Sequence, residues 1–281
     1  MTSGTGSTAV VLGGGGLLGA VQVGQVRALL EAGVRPDLVV GTSVGAMNGA
    51  VLAGSAPAEV GDRLEELWRS PDAAAVFGAG PVARLRELAR SGTAAHSPEP
   101  LRRALLAELG DRLIEDLPVR FECCAARIED ASEHWFDRGP VVDAVLASAA
   151  VPGLLPPVEL EGAHYLDGGL VNSIPLGRAV ELGARRVFVL QVGRIDSPLR
   201  PPRKPWEVAM VAFEISRRHR FGRDLTSVPP DVEVHVLPAG SGAAPRWDSR
   251  DALRYRDVAG VERRIETARR ESAEYLRTVL S

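Results

Sequence analysis

The sequence is nearly without lysine and cysteine. Of its 33 basic residues only Lys204 is a lysine, and its two cysteines, Cys123 and Cys124, are adjacent. Adjacent cysteines rarely form a disulfide, so they do not indicate an oxidising compartment, and no residue spacing resembles a metal site. The preference for arginine is typical of the coding bias of a GC-rich genome.

The chain also lacks a strong net charge. A formal charge of -3 over 281 residues excludes a strongly basic protein built around nucleic acid. The hydrophobic fraction of 45% and the charged fraction of 25% are ordinary for a globular protein and exclude intrinsic disorder. A chain of this length can bury a core that needs no disulfide or metal.

A long uninterrupted apolar run is absent as well. The segment nearest to one, Val10–Val26, contains six glycines together with Gln22 and Gln25, and no basic residues precede it. A membrane-spanning helix needs about 20 largely apolar residues, so this segment predicts a strand, a loop and a helix instead. We therefore expect a soluble, cytoplasmic protein.

The first fifty residues alternate between strand-like and helix-like segments. Ala9–Leu12 is a short apolar run typical of a strand buried on both faces. Gly13–Gly19 follows as a loop and Ala20–Ala32 as a helix, and Leu38–Val40 then predicts a second strand before a helix over Val44–Ala53. This order is typical of a parallel α/β sheet.

The rest of the chain continues this alternation after a more polar region. Residues 58–117, including Asp62–Trp68 and Arg84–Leu88, alternate charged and apolar residues at helical spacing and predict surface or cap helices. Strands are expected at 119–126, 134–136, 187–192 and 232–237, and helices at 141–150, 206–220 and 258–279.

A serine lies in a tight turn between the second strand and its helix. The five residues Gly41–Gly45 place Ser43 at this turn, where a hydroxyl is exposed and the start of a helix lies behind it. The amides and dipole of a helix N-terminus favour negative charge at that point. The pattern predicts a nucleophilic serine.

The first glycine loop, Gly14–Gly19, also fits the pattern of dinucleotide-binding folds. That function requires an acidic residue at the end of the second strand, but Asp37 lies at its start. A phosphate-binding Walker loop requires a following Lys and Ser or Thr, which are absent. Two interpretations remain: an oxyanion hole of backbone amides beside Ser43, or a loop that serves close packing alone.

A nucleophilic serine needs a base, and the sequence presents one carboxylate in a suitable turn. Asp167 follows an extended segment and precedes Gly168 and Gly169, although such a turn is common in its own right. The histidines lie in no loop typical of an active site and are expected to be structural; they are His96, His134, His164, His219 and His235.

Four motifs together resemble one known family. They are Gly14–Gly19, Gly41–Gly45, Ala147–Val158 and Asp167–Pro175, in that order. With these motifs the chain resembles the patatin-like phospholipases, which are serine acyl hydrolases with a Ser–Asp dyad. The resemblance implies an α/β three-layer sandwich with a mostly parallel central sheet and a helical cap. It covers about residues 8–192.

The resemblance also implies a division of the chain. Residues 8–192 are expected to form the acyl hydrolase core, into which residues 58–117 insert as a helical cap. Residues 193–281 are expected to form a C-terminal extension that packs on this core.

The resemblance assigns roles to residues. It implies that Ser43 is the nucleophile and Asp167 its general base, and that no histidine, metal or cofactor is required. The amides of Gly14, Gly15 and Gly16 are implied to form the oxyanion hole. Five further glycines support these motifs: Gly19, Gly41, Gly45, Gly168 and Gly169.

One departure affects the expected function. The family usually has a basic residue where this chain has Leu18, and its loss is expected to lower activity or shift substrate preference. We expect a hydrolase that cleaves carboxylic esters of phospholipids or lysophospholipids through an acyl-enzyme. The alternatives are a catalytically weak lipid- or acyl-binding scaffold of the same fold, and an α/β-hydrolase whose triad uses His219 or His235.

A basic cluster suggests a second kind of contact. Arg217, Arg218, His219, Arg220 and Arg223 could meet anionic lipid head groups at a membrane surface, although a solvated helix end is the more common cause of such a pattern. The expected partners are thus a lipid or acyl-ester substrate and a membrane surface, without nucleic acid, and the oligomeric state stays open.

Overall fold

The computed structural model describes residues 7–72, 92, 94–193, 198–203, 205–240 and 258–281. Its centre is a sheet of eight strands within these residues. The strands are β1 (Thr8–Leu12), β2 (Leu38–Thr42), β3 (Arg120–Arg127), β4 (Ser132–Phe136), β5 (Val158–Leu160), β6 (Ala163–Asp167), β7 (Arg186–Leu190) and β8 (Glu233–Val236).

The helices of the described residues lie on both faces of this sheet. They are α1 (Ala20–Glu31), α2 (Val44–Gly54), α3 (Val60–Arg69), α4 (Glu99–Leu109), α5 (Val141–Ser148), α6 (Leu176–Glu181), α7 (Pro205–Thr226) and α8 (Val258–Val279). Short 3-10 turns occur at Gly16–Gly19, Ile114–Asp116 and Gly168–Leu170.

The centre of the sheet is parallel. β1 lies between β2 and β7 and runs parallel to both, and β3 and β8 extend this parallel part on its two sides. Val10 and Leu12 of β1 join the larger apolar cluster on one face, and Ala9 and Val11 join the cluster on the other. These alternating small and branched residues let one strand serve two buried faces. The predicted α/β fold with a mostly parallel sheet is confirmed.

Strand β3 brings two strand ends together. Ala125 pairs both with β4 and with Asp167 of β6, so β4 and β6 lie at opposite edges of β3. Cys124 pairs both with β4 and with Thr42 of β2, so β2 lies at the same edge of β3 as β6. Since β2 is parallel and β6 antiparallel to β3, their ends at Thr42 and Asp167 meet head-on. Whatever follows Thr42 must therefore face Asp167.

Several predicted elements differ from the observed ones. Strand β2 continues to Thr42 instead of ending at Val40, so no spacer separates the strand from the serine turn. Strand β5 and helix α6 were not predicted; β5 is only three residues long and α6 only six, too short for a clear periodic pattern. The predicted cap segment Arg84–Leu88 lies outside the described residues.

The expected core, cap and C-terminal extension share one apolar cluster. Helix α3, from the expected cap, buries Leu64 in the same apolar cluster as α1 and α2. From the expected C-terminal extension, β8 joins the sheet beside β7, and Ile265 and Leu276 of α8 lie in that cluster as well. The division into core, cap and extension stays a prediction.

Candidate active site

Ser43 occupies a strained turn between β2 and α2. Its φ of 58° and ψ of -126° are unusual for a residue with a side chain. The turn is tight because α2 starts against β1: a Cβ on Gly45 would lie only 2.1 Å from the carbonyl oxygen of Leu12. The side chain of Ser43 does not cap the helix, so its hydroxyl is free to bond elsewhere.

The hydroxyl of Ser43 donates a hydrogen bond to Asp167. Its Oγ lies 2.6 Å from Oδ2 of Asp167. The other carboxylate oxygen, Oδ1, accepts a hydrogen bond of 2.7 Å from the amide of Gly169. Asp167 is 1% exposed and Ser43 is 6% exposed, so the pair lies almost entirely out of bulk water. The structure therefore brings the predicted nucleophile and base into direct contact.

The surroundings of Asp167 tune its acidity. Burial raises the pKa of Asp167 from 3.8 to about 6, while the hydrogen bonds from Ser43 and Gly169 lower it by less. A carboxyl group with this pKa is ionised at neutral pH and can still accept a proton effectively, because a general base works best when its pKa lies near the working pH.

Ser148, at the end of α5, fixes the backbone of Ser43. The amide of Ser43 donates a 2.9 Å hydrogen bond to Oγ of Ser148, which in turn donates a 2.6 Å bond to the carbonyl of Cys124. The serine turn is thereby tied to β3. Ser148 lies within the Ala147–Val158 motif but had no predicted role; the signal was a polar residue in a helix otherwise rich in small apolar ones.

The glycine loop lies directly beside Ser43. A Cβ on Gly14 would lie 3.3 Å from Cβ of Ser43. The amide of Gly14 donates a 2.8 Å hydrogen bond to the carbonyl of Ser173, so it is engaged in this structure. Within the part of the chain that the structure describes, the amides of Gly15 and Gly16 have no hydrogen-bond acceptor. Two of the three predicted oxyanion donors are therefore unengaged.

Buried polar side chains hold the two ends of this loop. Gln22 donates to the carbonyls of Gly13 and Leu190 at 2.8 and 2.9 Å. Asn48 donates to Gln22 and to the carbonyl of Gly19 at 2.8 and 3.0 Å. Neither Gln22 nor Asn48 had a predicted role in the site, although a polar residue inside an apolar helix is a usable signal.

The glycines predicted to support the motifs lie where a side chain would collide with neighbouring atoms. A Cβ on Gly168 would lie 2.2 Å from the carbonyl oxygen of Cys124, and one on Gly169 would lie 2.5 Å from the ring of Phe213. A Cβ on Gly41 would lie 2.5 Å from the backbone of α2, and one on Gly19 would lie 2.3 Å from the side chain of Val44. A larger residue at any of these positions would displace the loops that carry the dyad.

The five histidines all lie in the described residues, and the side-chain hydrogen bonds of Ser43 and Asp167 involve none of them. His219 is exposed on α7, and His235 stacks on Phe188, with ring centroids 5.0 Å apart. A triad with His219 or His235 is therefore wrong for this structure. Among the residues searched, no group of three potential metal ligands occurs.

The basic cluster of α7 is largely neutralised by acidic partners. Arg217 is 3% exposed and pairs with the equally buried Glu214, which also accepts a hydrogen bond from Arg218. Arg220 pairs with Glu133 and Asp224. Three of the five members of the predicted basic cluster therefore have acidic partners, and contact of this cluster with a membrane stays a prediction. No helix among the described residues has the length and hydropathy that crossing a membrane requires.

Sequence comparison identifies the family. A profile described as "Patatin-like phospholipase" matches residues 10–180, which contain Ser43, Asp167 and the glycine loop. The chain belongs to the patatin-like phospholipase family. The family predicted from the four motifs is thus confirmed.

Curated relatives of this patatin-like chain are much longer proteins. The protein named lysophospholipase nte1 of Aspergillus terreus is 33% identical over 198 residues, which are 68% of this chain and 12% of the relative. Its counterpart in Emericella nidulans is 33% identical over 195 residues, which are 66% of this chain and 12% of the relative. The chain therefore spans about an eighth of the length of these relatives.

A solved structure shares the fold. VipD from Legionella pneumophila superposes with a TM-score of 0.51 at 15% sequence identity, covering 97% of the patatin-like chain and 67% of its own. This likeness supports the fold assignment alone.

Proposed function

We propose that this chain is a serine acyl hydrolase that cleaves carboxylic esters of phospholipids or lysophospholipids. The observation that carries the proposal is the 2.6 Å hydrogen bond from Ser43 to Asp167 at a strained strand-to-helix turn. Membership of a phospholipase family and relatives named lysophospholipase support the substrate class.

The proposed reaction has two steps. Ser43 Oγ attacks the ester carbonyl while its proton passes to Oδ2 of Asp167, and the tetrahedral intermediate then expels the alcohol, which takes that proton. Water attacks the acyl-enzyme while Asp167 accepts its proton, and the collapse of the second intermediate releases the fatty acid and returns the proton to Ser43 Oγ.

The oxyanion of both intermediates needs donors that are fixed beforehand. We assign this role to the amides of Gly15 and Gly16, because the amide of Gly14 is bound to Ser173. Preorganised amides stabilise the developing charge without reorganisation, and the loss of one such donor typically costs about 10²–10³ in kcat.

A panel of phospholipids and lysophospholipids, read by mass spectrometry, tests the proposal. We expect fatty acid release that falls by about 10³-fold or more in Ser43→Ala. Equal turnover by wild type and Ser43→Ala would remove Ser43 as the nucleophile. The products also identify the ester bond that is cleaved and the preferred head group.

A catalytically weak lipid- or acyl-binding scaffold is the second candidate, and the neutral side chain of Leu18 favours it. Its Cδ1 packs against the segment after β7, lying 3.7 Å from where a Cβ on Gly193 would be. A fluorophosphonate probe distinguishes the two candidates: labelling of Ser43 in the folded protein supports the hydrolase, and its absence supports the scaffold.

Peripheral membrane contact is a separate part of the proposal. The exposed basic residues that remain on α7 are His219 and Arg223. Co-sedimentation with vesicles of phosphatidylcholine, with and without phosphatidylserine, tests whether anionic head groups recruit the chain. Equal and negligible binding to both would remove this part.

A further inference from the structure

Helix α7 contacts the loop after Asp167 and the segment after β7, which in turn lies against the glycine loop. The ring of Phe213 packs on Gly169, whose amide donates to Asp167. One turn further along the helix, Nη2 of Arg217 donates a 2.7 Å hydrogen bond to the carbonyl of Val192. Residues 205–226 lie beyond the segment 10–180 that matches the family profile.

Val192 transmits the second contact to the glycine loop. Its Cγ2 lies 1.8 Å from where a Cβ on Gly15 would be, so its side chain fills the space beside that glycine. Val192 is 1% exposed, so its side chain is enclosed by protein. The position of Val192 therefore sets the position of Gly15 and of its unengaged amide.

Residues 190–192 are held at their two ends by hydrogen bonds from different partners. Next to Gly13, the carbonyl of Leu190 accepts hydrogen bonds from the amide of Gly13 and from Gln22. Two residues further on, the carbonyl of Val192 accepts its hydrogen bond from Arg217. Arg217 thus anchors the end of the stretch that lies against Gly15.

The burial of Arg217 is unusual for a residue that only stabilises a fold. Arg217 and Glu214 are 3% and 2% exposed, and Nη1 of Arg217 bonds both carboxylate oxygens, at 2.9 and 3.2 Å. A buried ion pair contributes little more stability than well-packed apolar residues of the same size. It does give direction, because the planar guanidinium fixed by Glu214 can aim only one edge at Val192.

We propose that Arg217 is a positioning residue that holds Val192 against Gly15 and thereby fixes the amide donors of the glycine loop relative to Ser43. The inference rests on the proposed function, because it assigns a role in the same reaction. Donors that act on the oxyanion act in the transition state and leave substrate binding unchanged. The loss of this anchor should therefore lower kcat and leave KM unchanged.

The decisive variant replaces both charges, Glu214→Leu with Arg217→Met. Removal of one partner alone would leave a buried, unpaired charge and strongly destabilise the protein, whereas the double replacement keeps an apolar contact in its place. On a p-nitrophenyl acyl ester we expect kcat to fall at least about tenfold relative to the wild type. KM should stay within about twofold, and the melting temperature should be unchanged. Fluorophosphonate labelling of Ser43 should slow by a similar factor.

Two further variants separate positioning from folding. Val192→Ala keeps the ion pair but removes the contact with Gly15, so it should lower kcat similarly, and combining it with the double replacement should lower kcat little further. The control, Glu122→Leu with Arg178→Met, removes another ion pair, between the buried Glu122 and the partly buried Arg178, whose mutual hydrogen bonds involve neither the glycine loop nor the dyad. This control should leave kcat unchanged.

The outcomes are separable. An unchanged kcat in the folded double variant overturns the role of Arg217, as does a loss of activity that only follows the folded fraction. If the double variant does not fold, an unchanged kcat in Val192→Ala overturns it. Wild-type activity that survives Ser43→Ala overturns the proposed function instead.

Discussion

Ser43 and Asp167 meet because the strands that carry them end head-on at the same edge of β3. Thr42 lies opposite Cys124, and Asp167 lies opposite the next residue, Ala125. The hydrogen bond between Ser43 and Asp167 is thus a product of strand register, although 124 residues separate the two along the chain.

The tight turn between β2 and α2 holds Ser43 in a strained backbone, and this predicts an unusual stability order. At a φ of 58° an alanine keeps the strain of the native serine, whereas a glycine relieves it. We expect Ser43→Gly to have a free energy of unfolding about 1 kcal/mol higher than that of Ser43→Ala, measured by urea unfolding, although both variants should be inactive. A more stable Ser43→Ala would contradict the strain.

The pKa of Asp167 predicts the acid limb of the activity profile. Asp167 must be ionised to accept the proton of Ser43, and burial raises its pKa to about 6. We expect kcat/KM to rise about tenfold per pH unit below pH 6 and to level off above it. A limb centred near pH 4, where an exposed carboxyl titrates, would show that another group is limiting.

The same pKa predicts how Asp167→Asn changes stability with pH. Below pH 3.8 the carboxyl is neutral in both the folded and unfolded states, so the variant and the wild type should be similarly stable. As pH rises from 3.8 to 6, the unfolded state ionises first, and the wild type loses stability relative to the variant. The difference should reach about 3 kcal/mol above pH 6. Urea unfolding at pH 3.5 and pH 8 measures it, and a gap that is equal at both would refute the raised pKa.

We expect the replacement of Ser148 to lower activity through its hydrogen bond to the backbone of Ser43, without any direct contact between Ser148 and substrate. In Ser148→Ala the buried amide of Ser43 loses its acceptor, which costs about 1–3 kcal/mol of stability, and the serine turn loses its tie to β3. We expect kcat to fall by about 10- to 100-fold. Ser272→Ala is the matched control, because Ser272 is also a buried serine, and its Oγ bonds the carbonyl of Pro238, which follows β8 and belongs to neither loop of the site. This control should retain wild-type kcat, and equal effects of the two variants would argue against a specific tie.

Two helical glycines predict opposite effects of the same substitution. A Cβ on Gly45 would lie 2.1 Å from the carbonyl oxygen of Leu12, whereas one on Gly222 of α7 would meet no atom within 4 Å. We expect Gly45→Ala to be destabilised by at least about 3 kcal/mol, because the displaced neighbour is backbone. Gly222→Ala should gain about 0.5–1 kcal/mol from helix propensity. Thermal melts of both variants check the contrast.

The turns that carry Ser43 and Asp167 were predictable because each residue lies in a short motif with a local physical cause. A glycine-flanked serine between a strand and a helix signals a sharp turn, and an Asp-Gly-Gly turn signals a carboxylate at a strand end. Their mutual contact was predictable only through the resemblance to a family, because register at β3 is set by long-range pairing.

The supporting residues were less predictable for a related reason. Nothing local marks the amide of Gly14 as engaged, since its acceptor, the carbonyl of Ser173, lies far away along the chain. The basic run that ends α7 shows the same limit, because Arg217 finds its carboxylate three residues earlier and its carbonyl 25 residues earlier. Charge counted along a sequence does not reveal which cations are already paired.

The pairing of β2 and β6 with strand β3 sets the positions of both Ser43 and Asp167. Each is located by counting residues along its own strand against β3, so the loops that connect the strands do not enter the distance between them. The chain between β2 and β3 could thus lengthen or shorten without altering that distance, whereas one residue added within β2 would shift Ser43 by about 3.3 Å and turn it to the opposite face of the sheet.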